Sequence, residues 1–318
     1  MLTGCPLEAA LSTIAIFALT LSAAAQQPPP IVNGERTDDF PAVGTIMGYS
    51  EQYGGAPFCS GTLIEEKWVL TAAHCLEAAD QYSRYGMDIM FVVGDNLFSD
   101  SGVEDYDIAV DWFEHPDYSG TSTSRIEADI GLLELETGLP DIDPVPLNEE
   151  APGDDWRGED LHYVGWGITG DDAQDSGRKR YAAIPYYDVD GDFIYAYDDE
   201  KNLCSGDSGG AGMREDDDGN LWLAGVNSFV FPYQDASTPC EGGGSGATRV
   251  DAFYDWITEY VDFEPVSDDP DLDEDEGVSD QPGDEEETKS GCSAVPAPAG
   301  IVLAAFGLGA ALRRRREG

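Results

Sequence analysis

The most informative segment of this chain is CSGDSGG at residues 204–210, which places a serine in a glycine-rich turn. In such a turn, backbone N–H groups can converge and bind a developing negative charge. Two upstream segments complement it. WVLTAAHC at residues 68–75 is typical of a buried apolar strand that ends in small residues beside His74. ADIGLL at residues 128–133 puts Asp129 at the head of another apolar strand. Each segment alone is weak evidence, but the three together indicate nucleophilic catalysis.

In the order His74, Asp129, Ser208, with these flanking residues, the three segments are strong evidence for an activated serine hydroxyl. A serine hydroxyl is a poor nucleophile near neutral pH, so it needs a base to take its proton. His74 can accept that proton and later give it to a leaving amine. Asp129 would hold the imidazole in the required tautomer and stabilise the imidazolium. We therefore expect these three residues to be catalytic.

With these flanking residues, the three segments resemble the chymotrypsin/trypsin-like serine proteases (S1-type). The resemblance extends over residues 31–261 and includes IVNG at 31–34, GWG at 165–167 and a substrate-side strand at 225–229. It implies an all-β fold of two packed six-stranded antiparallel β-barrels, with the site between them and a C-terminal helix. That helix is also predicted by apolar residues at helical spacing, namely Val250, Phe253, Ile257, Tyr260 and Val261.

The resemblance also assigns residues to charge stabilisation and to activation. The backbone N–H groups of Gly206 and Ser208 would form the oxyanion hole. A new N-terminus at Ile31 would insert and pair its ammonium group with Asp207, because a buried charge must be matched. Residues 26–30, QQPPP, offer no Arg or Lys before this cut. We therefore expect processing by a different peptidase rather than tryptic self-activation.

Six cysteines are present, of which Cys5 lies in a presumed signal and Cys292 lies near the C-terminus. The other four form an even set in an exported domain and predict two disulfides, with three connectivities open. Metal binding is the weaker alternative, since no C-x-x-C motif or histidine cluster accompanies them. The family resemblance implies the pairs Cys59–Cys75 and Cys204–Cys240.

The base of the substrate pocket in the resembled family lies six residues before the nucleophile, here at Asn202. Asn is neutral, so a cationic P1 side chain, the one that precedes the scissile bond, would lack a counter-charge when buried. The resemblance assigns Ser228, Val230 and Ser245 to the pocket, and Val230 would narrow it as in elastase-like members. We expect cleavage after small or medium-sized uncharged residues.

The calcium loop of the family would fall at residues 95–105 in this chain. Its candidate oxygen ligands are Asp95, Asp100, Glu104 and Asp105. Because the whole chain is acidic, a hydrated loop without a metal ion is the favoured alternative. We expect that no cofactor is required, with Ca²⁺ as the candidate ion.

The chain of 318 residues has 64 Asp+Glu and 16 Lys+Arg, a formal net charge of −48. Phosphate binding needs clustered Lys or Arg, so this balance excludes nucleic acid as a partner. Residues 264–290 contain 13 acids and one Lys with few large apolar residues, which predicts a disordered acidic linker. Residues 31–263 retain a net charge of −38. That charge suits a saline medium, or it favours cationic substrates or Ca²⁺.

Both ends of the chain resemble targeting segments. Residues 1–25 resemble a secretory signal, and residues 26–30 would be a short propeptide before a peptidase domain at 31–263. Residues 291–318 combine Cys292 with an apolar stretch and four consecutive Arg, and they resemble the surface-sorting tails of myxobacteria. In those tails the segment is removed near the Cys, which resembles a lipidation site. The alternative is a plain C-terminal membrane anchor.

The function expected from the sequence is that of a secreted, surface-anchored serine endopeptidase that works through an acyl-enzyme. Its partners would be protein or peptide substrates, an activating peptidase, and a membrane reached through the C-terminal tail. The alternative is a catalytically silent adhesion or binding protein with the same fold at the cell surface.

Overall fold

The structure is a computed structural model that describes residues 31–99, 101–120, 126–233 and 238–263. The predicted signal, propeptide, linker and sorting segments, at residues 1–25, 26–30, 264–290 and 291–318, lie outside these ranges. Within the described ranges, no helix is both long and apolar enough to cross a membrane.

The N-terminal half of the domain forms a closed β-barrel. A short strand, β1 (Glu35–Arg36), comes before it and pairs with the other half of the domain. The barrel strands are β2 (Val43–Ser50), β3 (Gly54–Glu65), β4 (Trp68–Thr71), β5 (Asp88–Gly94), β6 (Val103–Glu114) and β7 (Gly131–Leu135). They are antiparallel and close in the order β2-β3-β4-β7-β6-β5. Phe91 fills the interior beside Gly44, where an added Cβ would lie 2.6 Å from the ring, so this close packing requires glycine.

The C-terminal half forms a second closed ring of six strands. Its strands are β8 (Asp160–Gly165), β9 (Arg180–Val189), β10 (Phe193–Tyr197), β11 (Ala211–Glu215), β12 (Leu221–Phe231) and β13 (Gly244–Arg249). The ring closes because β8 pairs with both β9 and β11. Its interior is filled by side chains such as Trp156, Tyr163, Ile184 and Ile194. The predicted all-β fold of two six-stranded antiparallel barrels is confirmed.

Two α-helices accompany the barrels in the described residues, α1 (Ala73–Arg84) and α2 (Val250–Ile257). The C-terminal helix α2 is confirmed, although the apolar spacing extended the prediction to Val261. The chain keeps a helical turn beyond α2, since the N–H groups of Tyr260 and Val261 both donate to the Ile257 carbonyl, at 3.1 and 3.0 Å. The helix side chains pack against the first barrel, where Trp256 contacts the ring of His115.

Helix α1 was not predicted. The sequence indicated a strand that ended beside His74, but β4 ends at Thr71 and α1 begins at Ala73. The sequence did contain evidence for α1, because the buried residues Cys75, Leu76 and Ala79 have the spacing of one face of a helix. The consequence is that His74 lies in the first turn of a helix rather than at the end of a strand.

Candidate active site

A single carboxylate fixes His74 in two ways. The Nδ1 atom of His74 lies 2.8 Å from Asp129 Oδ2, and the backbone N–H of His74 donates to Asp129 Oδ1 at 2.9 Å. Asp129 lies just before β7 and is fully buried. The imidazole is thus oriented through both its ring and its backbone, as required of a base whose free nitrogen must face a nucleophile.

The second barrel supplies two further contacts to Asp129. The hydroxyl of Ser228 in β12 donates to Asp129 Oδ2 at 2.5 Å, and the hydroxyl of Thr248 in β13 donates to the Asp129 backbone carbonyl at 2.7 Å. A buried carboxylate is costly unless its oxygens accept hydrogen bonds, and here three donors reach them. Sequence reasoning missed Thr248 and assigned Ser228 to the substrate pocket. The Ser228 hydroxyl also holds Asp129, and its place in the substrate pocket stays a prediction.

The loop before Asp129 is strained and held in place. Ala128 has a φ of 48°, in the left-handed region that residues other than glycine rarely adopt. Its N–H donates to Asp192 Oδ2 at 3.2 Å, and Asp192 belongs to the hairpin between β9 and β10. Strain of this kind persists only where the surroundings enforce it, and it is concentrated at functional sites.

The turn that contains Ser208 is clamped to the first barrel by Ser60 of β3. The N–H of Ser60 donates to the Ser208 carbonyl and its hydroxyl donates to the Gly206 carbonyl, both at 2.8 Å. Gly209 packs so closely on Thr71, near His74, that an added Cβ would collide with the threonine side chain. The turn that contains Ser208 therefore packs against β3 and against Thr71, three residues before His74.

The same turn leaves two backbone donors available. In the described part of the chain, no hydrogen bond to a protein acceptor uses the N–H groups of Gly206 and Ser208, although Asp207, Gly209 and Gly210 all donate within the turn or to β12. Gly206 has a φ of 94°, a conformation that favours glycine. Two free N–H groups separated by one residue are the arrangement that an oxyanion hole requires.

Both disulfides implied by the resemblance are present. Cys59–Cys75 joins β3 to α1 with a Cα–Cα distance of 6.0 Å, and Cys204–Cys240 joins the Ser208 turn to the loop before β13 with a distance of 5.1 Å. Bridges that close loops of such length contribute roughly 3–4 kcal/mol each when unstrained. The sulfurs of Cys59 and Cys75 lie near His74, but as disulfide sulfurs they are not thiolate ligands for a metal.

The predicted pocket has Asn202 at its base and Val230 and Ser245 at its walls, and none of these side chains is charged. Asn202 is buried and donates from Nδ2 to the Pro239 carbonyl at 2.9 Å. Ser245 is fully buried, and its hydroxyl oxygen has no hydrogen-bond partner in the described residues. Val230 on β12 faces Ser245 on β13 in the strand register. Neither polar group carries a charge that would balance a buried cation.

Asp207 is a buried carboxylate that accepts two backbone hydrogen bonds. The N–H groups of Gly167 and Cys204 donate to it at 2.8 and 2.9 Å. Among the described residues, no cation lies within ion-pair distance of it, and burial raises the pKa of Asp207 to about 6. Ile31 is also fully buried, with a φ of 42° that is strained for a β-branched residue.

A buried arginine that sequence reasoning missed supports the loop beside Asp207. Arg180 in β9 is fully buried and donates to the Gly167 carbonyl at 2.6 Å. It also pairs with Asp175 at 3.2 Å. Because the N–H of Gly167 donates to Asp207, the guanidinium fixes the loop after β8 against the Ser208 turn. Burial lowers the pKa of Arg180 to about 10, which leaves it charged at neutral pH.

Three of the four candidate calcium ligands lie within the described residues. Asp100 lies outside the described residues, and within them no group of three ligand side chains includes Asp95, Glu104 or Asp105. A buried lysine, Lys179, lies among these acids, and its N–H donates to the Asp95 carbonyl at 2.8 Å. Burial lowers the pKa of Lys179 to about 8, although Glu104 and Asp95 oppose the shift. Calcium binding stays a prediction.

A two-barrel fold with a histidine–carboxylate pair beside a serine turn defines the class of serine proteases. The family model described as Trypsin matches residues 31–257, and the chain belongs to the trypsin family.

Three curated relatives are proteases by name. The chain is 29% identical to "Brachyurin" of Leptuca pugilator, over 65% of this chain and 89% of the relative. It is 30% identical to "Chymotrypsin-like elastase family member 3B" of Macaca mulatta, over 73% and 93%. It is also 30% identical to "Trypsin Tyr p 3.0101" of Tyrophagus putrescentiae, over 63% and 70%. The chain is accordingly a serine endopeptidase, and the alternative of a silent binding protein is not favoured.

Proposed function

We propose that His74, Asp129 and Ser208 carry out peptide hydrolysis through an acyl-enzyme. The observation that supports this is the contact between His74 Nδ1 and Asp129 Oδ2 at 2.8 Å, with the Ser228 hydroxyl donating to the same carboxylate. Ser208 Oγ attacks the peptide carbonyl while His74 Nε2 takes its proton. His74 then protonates the leaving amine as the C–N bond breaks. A water molecule then attacks the ester while His74 takes its proton, and the C–O bond to Ser208 breaks, which releases the carboxylic acid and regenerates the Ser208 hydroxyl.

The substrate backbone would be held as an added strand. The pairing of β12 with β11 ends at Val226, whereas its pairing with β13 continues to Phe231. Among the described residues, one edge of residues 228–231 therefore has no partner strand, and it lies next to the Ser228–Asp129 contact. An extended peptide can add to such an edge by main-chain hydrogen bonds, which do not depend on its side chains. This arrangement leaves specificity to the pockets.

We propose a preference for small or medium-sized uncharged P1 residues. The support is the neutral base at Asn202, together with Val230 and Ser245 at the walls. A peptide-library cleavage profile of the activated protein tests it, and Ala, Val or similar residues should dominate at P1. The matched variant Asn202→Asp should add cleavage after Lys or Arg, because it supplies the missing counter-charge. Dominant Arg or Lys cleavage by the wild-type protein contradicts the proposal.

Activation would follow cleavage of the Pro30–Ile31 bond, which gives Ile31 an ammonium group to pair with Asp207. The φ torsion of Ile31 includes the carbonyl carbon of Pro30, so cleavage of this bond also removes the strained torsion. Residues 26–30 contain no Lys or Arg, which supports a separate activating peptidase. Mass mapping of both termini of the native protein tests this step. It also tests the proposed export signal and removal of the tail near Cys292. Active protein that still carries residues 26–30 contradicts the activation step.

The stability of the precursor should depend on pH differently from that of the activated form. In the precursor, the pKa of Asp207 is about 6, above its ordinary value near 3.9. A carboxyl group with a raised folded-state pKa favours the folded state when protonated, so the precursor loses stability as pH rises from about 4 to about 6. In the activated form, pairing with the ammonium lowers this pKa, so the loss is avoided. The difference in unfolding free energy between the activated form and the precursor should therefore grow between about pH 4 and pH 6, by at most about 3 kcal/mol.

At higher pH the gap should close again. Pairing with Asp207 raises the pKa of the ammonium group in the folded protein. The stabilisation by this pair is therefore complete at pH values below the pKa of the ammonium in the unfolded chain, and it fades as pH rises through the raised pKa of the folded state. Urea unfolding of chains that start at Gln26 and at Ile31 measures the difference, with Ser208→Ala in both to prevent self-cleavage. A gap that is equal at pH 4 and pH 7 would show that Asp207 does not bind the new terminus.

A further inference from the structure

The residue before Asp129 is held by a group from a distant part of the chain. Ala128 is buried and has a φ of 48°, in the left-handed region. For a residue with a Cβ this conformation is less favourable than the right-handed one. The Ala128 N–H donates to Asp192 Oδ2 at 3.2 Å, across 64 residues of sequence. The strained residue is therefore attached to the second barrel through a carboxylate.

The hairpin that carries Asp192, between β9 and β10, has a shape that its own side chains fix. One oxygen of the Asp190 carboxylate accepts the N–H groups of Asp192 and Phe193, at 3.1 and 2.9 Å. The other oxygen accepts the Tyr195 hydroxyl at 2.8 Å. A side chain on a turn that is fixed in this way can hold its partner in one position.

Arg249, the last residue of β13, attaches this hairpin to the strand that contacts Asp129. Its guanidinium donates to the carbonyls of Asp190 and Gly191, at 2.9 and 3.2 Å. Its backbone N–H donates to the Asp192 carbonyl at 2.8 Å. Hydrogen bonds from a charged donor are stronger than those between neutral groups, so the hairpin is firmly bound to the end of β13.

Two consecutive residues of β13 thus act on two consecutive residues of the loop before β7. Thr248 donates from its hydroxyl to the Asp129 carbonyl at 2.7 Å. Arg249 acts on Ala128 indirectly, through the hairpin. The two routes belong to one sheet, since Phe193 of β10 lies opposite Thr248 in the register. The second barrel therefore holds this loop at the Ala128 N–H and at the Asp129 carbonyl.

The position of the Asp129 carboxylate depends on this attachment. The φ of Ala128 sets the direction in which the chain enters Asp129, whose Oδ2 lies 2.8 Å from His74 Nδ1. Without an acceptor for its N–H, Ala128 would relax towards negative φ, because that change removes the steric strain. Such a rotation would displace the carboxylate from the imidazole, and a displacement of about 1 Å is enough to slow catalysis markedly.

We propose that Asp192 is a positioning residue that holds Ala128 in its strained conformation. Through Ala128 it keeps the Asp129 carboxylate aligned with His74. This inference rests on the proposed function, in which that pair activates Ser208. Asp192 acts on the backbone beside Asp129 rather than on a reacting atom. What the site requires at residue 192 is an acceptor oxygen for the Ala128 N–H, so an amide can serve in place of the carboxylate.

The first test removes and then restores the acceptor. With the activated protein and a peptide 4-nitroanilide that has Ala at P1, Asp192→Ala should lower kcat about tenfold. KM should change by less than about twofold, because the groups that bind substrate are untouched. Asp192→Asn should recover kcat to within about threefold of the wild type, since its amide oxygen can accept the Ala128 N–H. The matched control is Asp188→Ala on β9, whose carboxylate pairs with Arg157, and its kcat should stay within about twofold.

The second test uses Ala128→Gly to separate positioning from a loss of stability. Glycine adopts a φ of 48° without strain. In the Ala128→Gly background, Asp192→Ala should therefore cost less than about threefold in kcat, compared with about tenfold in the wild-type background. The ¹H NMR signal of the His74 Nδ1–H group should shift in Asp192→Ala and return towards its wild-type position in the double variant.

Thermal unfolding checks that each variant is folded at the assay temperature, and Asp192→Ser, with its shorter side chain, replaces Asp192→Ala if the latter does not fold. The inference is overturned if loss of the carboxylate costs the same in both backgrounds, or if Asp192→Asn is as slow as Asp192→Ala. A tenfold loss in Asp188→Ala would overturn it as well. Wild-type protein with a free Ile31 terminus that neither cleaves the peptide nor reacts with a fluorophosphonate probe would contradict the proposed function instead.

Discussion

Ser208→Ala should abolish peptide hydrolysis, with a fall in kcat on the order of 10⁶. Without the hydroxyl no acyl-enzyme forms, and the His74–Asp129 pair has no nucleophile to activate. Residual activity would come from water attack assisted by the N–H groups of Gly206 and Ser208, which the substitution leaves in place. Steady-state kinetics on the preferred peptide measure the fall in kcat, and labelling by a fluorophosphonate probe measures the loss of the reactive hydroxyl.

The control for Ser208→Ala is Ser205→Ala in the same turn. The Ser205 side chain is exposed, and the contact of the residue with Ile168 uses its backbone carbonyl, so activity should stay within about twofold. His74→Ala should cost as much as Ser208→Ala, and the double variant little more, because the two residues act as a unit. Wild-type protein with a free Ile31 terminus that neither reacts with the probe nor cleaves peptides would favour the silent binding protein.

The candidate catalytic residues could be proposed from the sequence because each lies in a short segment of distinctive sequence. The carboxylate before β7, the His after β4 and the Ser in a glycine turn are all defined by their immediate neighbours. The spacing of the apolar residues likewise predicted α2, whereas the all-β fold of two barrels followed from the family resemblance. The disulfide pairs followed from family resemblance, since the spacing alone left three arrangements open.

The residues that hold the site were not predictable because they act across long sequence separations. Ser228 is 99 residues from Asp129, Thr248 is 119 residues from it, and Ser60 is 146 residues from Gly206. Only the meeting of the two barrels brings these groups together. Thr and Ser are common on strands, so nothing in the local sequence marks these particular ones. Arg180 was missed for a related reason, since a buried guanidinium is rare enough that a charged residue suggests an exposed position.

Asp129→Asn should lower kcat by a factor on the order of 10⁴. The carboxylate accepts from the His74 N–H, from His74 Nδ1 and from the Ser228 hydroxyl. An amide offers one oxygen and one NH₂ group, so it cannot accept at both positions. If its NH₂ group donates to His74 Nδ1, the imidazole proton must lie on Nε2. That nitrogen then cannot take the proton of Ser208.

Ser228→Ala separates this tautomer effect from a general loss of hydrogen bonds around Asp129. It removes one donor but leaves the carboxylate free to accept from both groups of His74, so the tautomer is unchanged. We expect a loss on the order of tenfold in kcat, close to the energy of one hydrogen bond to a charged group. Thermal unfolding should show that both variants fold, and the ¹H NMR signal of the His74 ring should report the altered proton position in Asp129→Asn alone. Similar losses in the two variants would mean that Asp129 acts through the stability of the loop rather than through the imidazole.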